Sequence, residues 1–265
     1  MNLLYHNRDF IVFYFPPGPP RAVDVDSARG LLEGETRVRA LATGAMQKAS
    51  ESGAGPEAFG PGMVVRSEKL GDGRTQLVAL PVEQLTAIST LSGDVEYVCP
   101  YQAAVRAYVA HRLGESRTEL DEKTAVAFVD VEQSHALITI LNGGAVEIFR
   151  VVDAEELSTE FQRTADFYAH GHIDQALFLM TNSAEAARDL PASVGGLIGA
   201  HVVSEPCPAL WALDALEVGP RFFLSELEEG ENLAKERRRR AIRLAASASA
   251  AALAAAFALG SYLSY

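Results

Sequence analysis

The sequence predicts an α/β protein whose two-lobed body contains a duplicated motif with mixed sheets, followed by a single C-terminal transmembrane helix. Three observations support this prediction. Strand-like and helix-like segments alternate along residues 63–216, the second half repeats the element order of the first, and residues 244–265 contain no charge. A chain of 265 residues is long enough for two small lobes with buried cores.

The first half opens with short apolar runs rich in β-branched and aromatic residues, which predict strands at 3–5, 10–15 and 21–25. Apolar residues then recur at roughly helical spacing, so we predict a helix over 27–50 with Ser27 as its N-cap. A glycine- and proline-rich loop is predicted next, at 52–62. The remaining predicted elements are strands at 63–67 and 75–80, a helix at 82–91, a strand at 95–99 and a helix at 101–113.

The second half follows a polar linker at 114–123. Asn142-Gly143-Gly144 predicts a tight hairpin turn, because glycine readily adopts the positive φ angles that such turns need. The predicted elements are strands at 124–130, 136–141 and 145–151, a helix at 154–168, a strand at 175–180, a helix at 184–190, a strand at 201–203 and a helix at 207–216. This order indicates a mixed sheet.

Charge is distributed unevenly along the chain. Lys and Arg total 23 against 35 Asp and Glu, a formal charge of −12. Residues 1–230 hold 17 of the cations and 33 of the anions, a net charge of −16, and the remaining residues carry +4. An acidic body argues against a nucleic-acid binder that neutralises phosphates. Cys99 and Cys207 are too few for a disulfide scaffold or a Cys-ligated zinc site, so we predict small apolar core residues.

The uncharged run at 244–265 is long enough to cross a bilayer as a helix. A basic linker at 231–243 precedes it, which predicts a cytoplasmic body, an outward C-terminus and contact with anionic lipid. Tyr262 and Tyr265 would lie at the far interface. The alternative is a soluble helix that packs on the body, since alanine favours helices but is weakly apolar. The predicted anchoring cations are Arg237, Arg238, Arg239, Arg240 and Arg243.

Three stretches of the body have a distinctive order of elements. The first is TQLVALPVEQLTAISTLSGDVEYVCPYQAAVRAY, read as a strand, a helix, a strand and an Ala-rich helix. The second is TAVAFVDVEQSHALITILNGGAVEIFRVV, a strand ending in Asp followed by a hairpin. The third is ELSTEFQRTADFYAHGHIDQALFLMTN, a helix followed by a strand. In order and spacing they resemble the end of the first half and the opening of the second half in the actin/ribonuclease-H-like superfamily, and within it the bacterial PilM group and the cytoplasmic part of type II secretion protein L. The resemblance covers about residues 63–216.

The resemblance implies a duplicated actin-like body with subdomains at 1–118 and 119–230, and it offers a test of nucleotide binding. Actin-like ATPases carry Asp-x-Gly-x-x-x-Ser/Thr at their opening hairpins, where the glycine lets the backbone approach phosphates. Here Glu132 stands at the glycine position, between Asp130 and Ser134, which are the remnant of the motif. The segments 5–9 and 180–183 also depart from the pattern. We therefore predict no cofactor and no catalytic residue, and Mg-ATP is disfavoured.

The function implied by the resemblance is a non-catalytic scaffold of a type IV pilus or type II secretion-like machine, anchored in the bacterial inner membrane. Its partners would be other platform proteins, with a motor ATPase and a second copy of the chain as further candidates. Glu231-Asn232-Leu233 resembles the peptide that precedes the basic run of PilN proteins, although a plain linker is the alternative. The competing function is an actin-like ATP-binding protein or ATPase with an altered phosphate motif.

A histidine-rich segment is the remaining candidate for chemistry. His170, His172 and Asp174 carry ligand types that metals accept, but their spacing specifies no closed site and no fourth ligand. We favour a solvated loop between a helix and a strand, and predict no metal site.

Overall fold

The described residues of the computed structural model form two five-stranded sheets and one inserted three-stranded sheet. The structure describes residues 2–5, 11–14, 21–32, 37–49, 59–69, 75–91, 94–116, 120, 123–132, 134–192, 194 and 197–225. The first-half elements are β1 (Asn2–Tyr5), β2 (Ile11–Tyr14), β3 (Arg21–Val23), α1 (Val25–Leu32), β4 (Val38–Ala42), β5 (Met46–Ala49), β6 (Met63–Lys69), β7 (Thr75–Pro81), α2 (Val82–Leu91), β8 (Val95–Pro100) and α3 (Tyr101–Ser116). The second-half elements are β9 (Thr124–Val131), β10 (His135–Asn142), β11 (Ala145–Asp153), a 3-10 turn (Ala154–Glu156), α4 (Leu157–Gly171), β12 (Ala176–Thr181), α5 (Ala184–Asp189), a 3-10 turn (Leu190–Ala192), β13 (Leu197–Val202) and α6 (Pro208–Ala215).

The two large sheets have the same topology. Their strand orders are β3-β2-β1-β4-β8 and β11-β10-β9-β12-β13. In each, the first strand of the half lies in the centre, antiparallel to the second strand and parallel to the strand on its other side. The predicted α/β class and the duplicated mixed sheets are therefore confirmed.

An insertion distinguishes the first half from the second. Between β4 and α2 the chain forms the antiparallel sheet β5-β7-β6, whereas the second half passes from β12 to α5 with no inserted strand among its described residues. The strands predicted at 63–67 and 75–80 belong to this inserted sheet, so both predictions are confirmed and their sheet is additional to the repeated motif.

The predicted helix over 27–50 is wrong. The helix α1 ends at Leu32, and β4 and β5 follow it. The main-chain N–H of Ser27 donates to Asp24 Oδ1 at 2.7 Å, so the cap is Asp24 and not Ser27. Strand β4 pairs in parallel with both β1 and β8, and four of its five residues are fully buried. The β4 sequence is the short run VRALA, and the apolar residues around it recur at roughly helical spacing, so periodicity did not distinguish this strand from a helix.

The hairpin between β10 and β11 forms as predicted. Asn142 pairs with Ala145, and the two residues between them, Gly143 and Gly144, have φ angles of 55° and 81°. Both angles lie in the left-handed region, where a side chain is strained, so glycine at both positions allows this two-residue turn.

A single hydrophobic cluster joins the two halves. Helices α3 and α6 pack against each other, α3 reaches β10 and β11 of the second half, and α6 reaches β1 of the first. Tyr101, Tyr108, Phe128 and Leu210 are among the fully buried residues of this cluster. The Asn2 side chain also donates a hydrogen bond to the Leu210 carbonyl at 3.2 Å. The interior is therefore continuous across the halves.

The segment after α6 returns to the first sheet. Phe222 forms an antiparallel bridge with Val98 of β8, with both main-chain hydrogen bonds at 2.8 Å, and its ring is fully buried.

The described residues end at Ser225 and include no helix long and apolar enough to span a membrane. The predicted linker (231–243), the predicted span (244–265) and their anchor residues all lie outside the described residues, as does the predicted subdomain boundary between 118 and 119.

Candidate functional site

A pair of buried carboxyl groups lies at the end of β9, where the first residue of α3 and the N-cap of α6 meet it. Asp130 is the seventh residue of β9 and Glu132 follows the strand. Their side chains are 1% and 8% exposed. Buried carboxyl groups of this kind need hydrogen-bond donors, because loss of hydration otherwise costs several kcal/mol per charge.

Asp130 receives two hydrogen bonds from residues distant in sequence. The Tyr101 hydroxyl donates to Oδ2 at 2.9 Å, and the Asn182 side-chain amide donates to Oδ1 at 2.7 Å. Asn182 also accepts from the main-chain N–H of Val131 at 2.8 Å, so it holds both the side chain and the backbone at the strand end. The Asp130 carboxyl is thereby fixed between the first residue of α3 and the residue that follows β12.

Glu132 turns into the protein interior. Its Oε1 accepts a hydrogen bond from the Cys207 thiol, with the sulfur 2.9 Å away, and its main-chain N–H donates to the His135 carbonyl at 2.8 Å. Cys207 is buried and occupies the N-cap position of α6, directly before Pro208. The prediction that Cys207 is a small core residue agrees with its burial, but sequence reasoning missed its contact with Glu132.

Burial raises the pKa of both carboxyl groups. Desolvation raises the pKa of Asp130 to about 7, against the lowering effect of the Tyr101 hydrogen bond. Desolvation and then the nearby Asp130 charge raise the pKa of Glu132 to about 8. No Lys or Arg is among the described groups that shift either pKa. Near neutral pH the pair therefore retains protons, and Tyr101 and Cys207, whose pKa values burial raises further, stay neutral donors.

A surface groove on the first half is the second candidate. It has a volume of about 1100 Å³ and lies between α1, α2 and the start of β6. Its lining combines apolar side chains with the charged residues Asp24, Arg29 and Glu83, which can contact polar groups of a ligand. Its apolar lining residues include Tyr5, Met63, Val82 and Leu91. This combination suits a peptide segment with apolar anchors and a few polar contacts.

The histidine segment makes separate local contacts. His172 Nε2 lies 3.2 Å from Glu147 Oε2, and its ring stacks on Tyr168 at a centroid distance of 4.4 Å. His170 Nδ1 lies 2.7 Å from the Asp166 carbonyl within α4. Among the described residues, no group of three or more His, Cys, Asp or Glu is arranged to hold a metal ion.

Two of the solved structures with a similar fold match this chain over most of their own length. One is a Bacteroides thetaiotaomicron protein with an actin-like ATPase fold and unknown function, at 10% identity, TM-score 0.53, and coverage of 82% of this chain and 96% of that chain. The other is a chain of a PilM–PilN type IV pilus biogenesis complex, at 12% identity, TM-score 0.52, and coverage of 78% and 88%. The chain has an actin-like ATPase fold. No family model and no curated protein matches it.

In this actin-like fold, the sequence-predicted motif residues separate. Asp130 lies in the buried cluster with Glu132, whereas Ser134 is exposed and its hydroxyl contacts His135 Nδ1 at 2.8 Å. Both carboxyl groups are engaged by protein donors. The cluster can hold and release protons, and it ties α3, β9, the end of β12 and α6 together. Sequence reasoning missed Tyr101, Asn182 and Cys207 as members, because they lie 29, 52 and 75 residues from their carboxyl partners.

Proposed function

We propose that this protein is a non-catalytic scaffold of a type IV pilus or type II secretion-like machine. Its acidic actin-like body would lie in the cytoplasm of a bacterial cell, anchored to the inner membrane by residues 244–265. The observation that supports this most is the similarity in fold to a chain of a PilM–PilN complex, which extends over 88% of that chain. The partners we propose are other platform proteins, a motor ATPase and anionic lipid beside the basic linker.

The buried carboxyl pair supports a binding function over nucleotide hydrolysis. A phosphate site needs glycine or a cation near the phosphate oxygens, and here two acidic groups occupy the strand end. Near neutral pH the pair retains protons and both carboxyl groups accept hydrogen bonds from protein donors, so neither is free to hold the metal ion of Mg-ATP. We therefore propose that the body acts through its surfaces.

Titration calorimetry of the full chain in detergent micelles with Mg-ATP distinguishes the scaffold from the ATPase. We expect no saturable binding in the micromolar range and no release of inorganic phosphate, because the cluster offers no cation to a phosphate group. An active actin-like ATPase in the same micelles serves as the control. Micromolar binding with turnover that Asp130→Asn abolishes would contradict the proposal.

The groove between α1 and α2 is the surface that we assign to a segment of a platform membrane protein. Thr90 and Ser89 form a matched pair for testing it, because they are adjacent on α2 and each hydroxyl donates to the carbonyl three residues earlier at 2.7 Å. Only Thr90 lines the groove. A photoreactive amino acid at Thr90 should give cross-links to the partner in cells, and one at Ser89 should give at least about tenfold fewer, because specific binding buries a defined patch.

The same cells test the membrane anchor. We expect the full chain and its cross-linked product to stay in the membrane pellet after alkaline carbonate extraction, because a spanning helix resists this treatment. Mass spectrometry of the product should identify a pilus or secretion platform protein. Release of the chain into the soluble fraction would contradict the anchor, and equal cross-linking from both positions would contradict docking in the groove.

A further inference from the structure

A short segment with a solvent-exposed side contacts the buried carboxyl pair. It consists of residues 204–207, which join β13 to α6. Ser204 and Pro206 are exposed, whereas Cys207 is only 2% exposed and its thiol donates to Glu132. Because one side of the segment meets solvent and its last residue contacts Glu132, moving the segment would admit water to that carboxyl group.

One end of the 204–207 segment is held by a fixed charge. Glu205 forms an ion pair with Arg112 and accepts a hydrogen bond from the Tyr108 hydroxyl, and both partners lie on α3. Burial raises the pKa of Glu205, but the hydrogen bonds from Arg112 and Tyr108 outweigh it and hold the pKa at about 2. Glu205 therefore stays ionised throughout the neutral range, and this attachment does not change between about pH 6 and 9.

The other end is attached through the carboxyl pair. The Cys207 thiol, a weak donor, bonds to Glu132. The Asn182 amide that donates to Asp130 also donates to the Pro206 carbonyl at 3.4 Å. Both contacts are made by groups that also touch the pair, so a change in the charge of the pair acts on this end of the segment.

Neutral donors surround the pair in the part of the chain that the structure describes. The titratable groups that face it from neighbouring elements are Tyr101 of α3, Cys207 before α6 and His135 of β10. Burial keeps Tyr101 and Cys207 protonated by raising their pKa values, and the His135 ring contacts Ser134 and Asp153. No described Lys or Arg shifts the pKa of either carboxyl group. Two negative charges at this site would therefore lack a compensating cation among the described residues.

We propose that the carboxyl pair is a pH-sensitive switch for the 204–207 segment, which stays closed while the pair retains protons and opens at its Cys207 end when both groups ionise. The protonated pair is neutral and suits a buried site, whereas the doubly charged pair needs the water that opening admits. In the closed state the pKa values of Asp130 and Glu132, about 7 and about 8, lie above those of exposed carboxyl groups. The open state therefore releases protons and becomes more favourable as the pH rises from about 6 to 9. Opening would loosen the connection between the second sheet and α6.

Thiol labelling of the full chain in detergent micelles tests the switch. Cys207 lies at the end that opens, and Cys99 is an internal reference, because both thiols are free and buried and the Cys99 thiol contacts the Val218 carbonyl instead of the pair. Between about pH 6 and 9, the ratio of the Cys207 to the Cys99 alkylation rate should rise at least about tenfold, as measured by mass spectrometry of the two peptides. Thiolate formation and global unfolding act on both cysteines, so neither accounts for a selective rise at Cys207.

Two variants assign the switch to the pair. The double variant Asp130→Asn with Glu132→Gln cannot ionise, so its ratio should change by less than about twofold over the same range. Glu205→Gln weakens the other attachment and should raise Cys207 labelling by a similar factor at both pH values, because Glu205 is ionised at both. Trp211 fluorescence checks that each variant is folded.

Three outcomes would overturn the switch. The first is a flat ratio in the unmodified protein, which needs no variant. The second is the same rise in the double variant, since other groups would then open the segment. The third is loss of the rise in Glu205→Gln, which would move the pH dependence away from the carboxyl pair.

Discussion

Replacing Phe222 with alanine should lower the free energy of unfolding by about 3–5 kcal/mol, the usual cost of removing a buried phenyl ring. Phe222 is fully buried in a hydrophobic cluster with first-half residues that include Leu80, Ile88 and Val98, and its main chain is bridged to Val98 at the sheet edge. Loss of the ring leaves a cavity and releases the segment that covers β8. The sole tryptophan, Trp211 on α6, provides a fluorescence signal for denaturant unfolding, because it packs edge-on against Tyr108 at 5.7 Å.

Phe223 is the matched control for this change. It is the next residue and also lies near Arg66, whose guanidinium carbon is 5.8 Å from the Phe222 ring centre and 5.9 Å from that of Phe223. Phe223 is 42% exposed, so Phe223→Ala should cost less than half as much as Phe222→Ala, on the order of 1 kcal/mol. Equal losses from the two variants would show that the segment is not anchored by the Phe222 ring.

The stability of the unmodified protein should decrease as the pH rises from 5 to 9, and the double variant Asp130→Asn with Glu132→Gln should lose most of this dependence. The pKa of each group is higher in the folded protein than in an exposed carboxyl, so the unfolded chain releases these protons first. Their stabilising contribution is complete at pH values below about 4 and is lost as the pH passes through about 7 and 8. Between pH 5 and 9, the free energy of unfolding of the unmodified protein should fall by a few kcal/mol more than that of the double variant. The scale is on the order of 1.4 kcal/mol for each unit by which folding raises a pKa.

Denaturant midpoints at pH 5, 7 and 9 measure this difference. The amide replacements keep the size of the side chains. An asparagine at 130 can accept from the Asn182 amide and donate to the Tyr101 hydroxyl, and a glutamine at 132 can accept from Cys207, so the double variant should fold. Glu155→Gln is the control, since Glu155 is exposed and water solvates it in both states. Parallel pH profiles for the unmodified protein and the double variant would show that other groups control the pH dependence.

Local sequence signals predicted the second half of the fold well. The glycines at 143 and 144, the short apolar strands on either side of them and the amphipathic helix that includes Tyr168 are all recognisable within a few residues. The main failure was β4, because its five residues, VRALA, lie among apolar residues that recur at roughly helical spacing. Strands β6 and β7 were predicted, but their place in a separate inserted sheet was not, because the local sequence does not indicate which sheet a strand joins.

The candidate site was predicted only in part. The family resemblance indicated Asp130 and Ser134 as the remnant of a motif and Glu132 as a departure from it, and the structure separates Ser134 from the two buried carboxyl groups. Tyr101, Asn182 and Cys207 carry no local sign of their role, because each becomes a neighbour of the carboxyl pair only when α3, the end of β12 and α6 converge.

The sequence by itself determined the α/β class, the repeated order of elements and the separation of an acidic body from a basic, apolar C-terminal region. These properties follow from periodicity, turn residues and charge, which are local or additive. Only the tertiary structure decided that Glu132 points inward to a thiol, that Phe222 covers the edge of β8 and that the edge of β13 lacks a strand partner within the described residues. Side-chain direction and edge coverage depend on long-range packing, and residues far apart along the chain meet only after the sheets have formed.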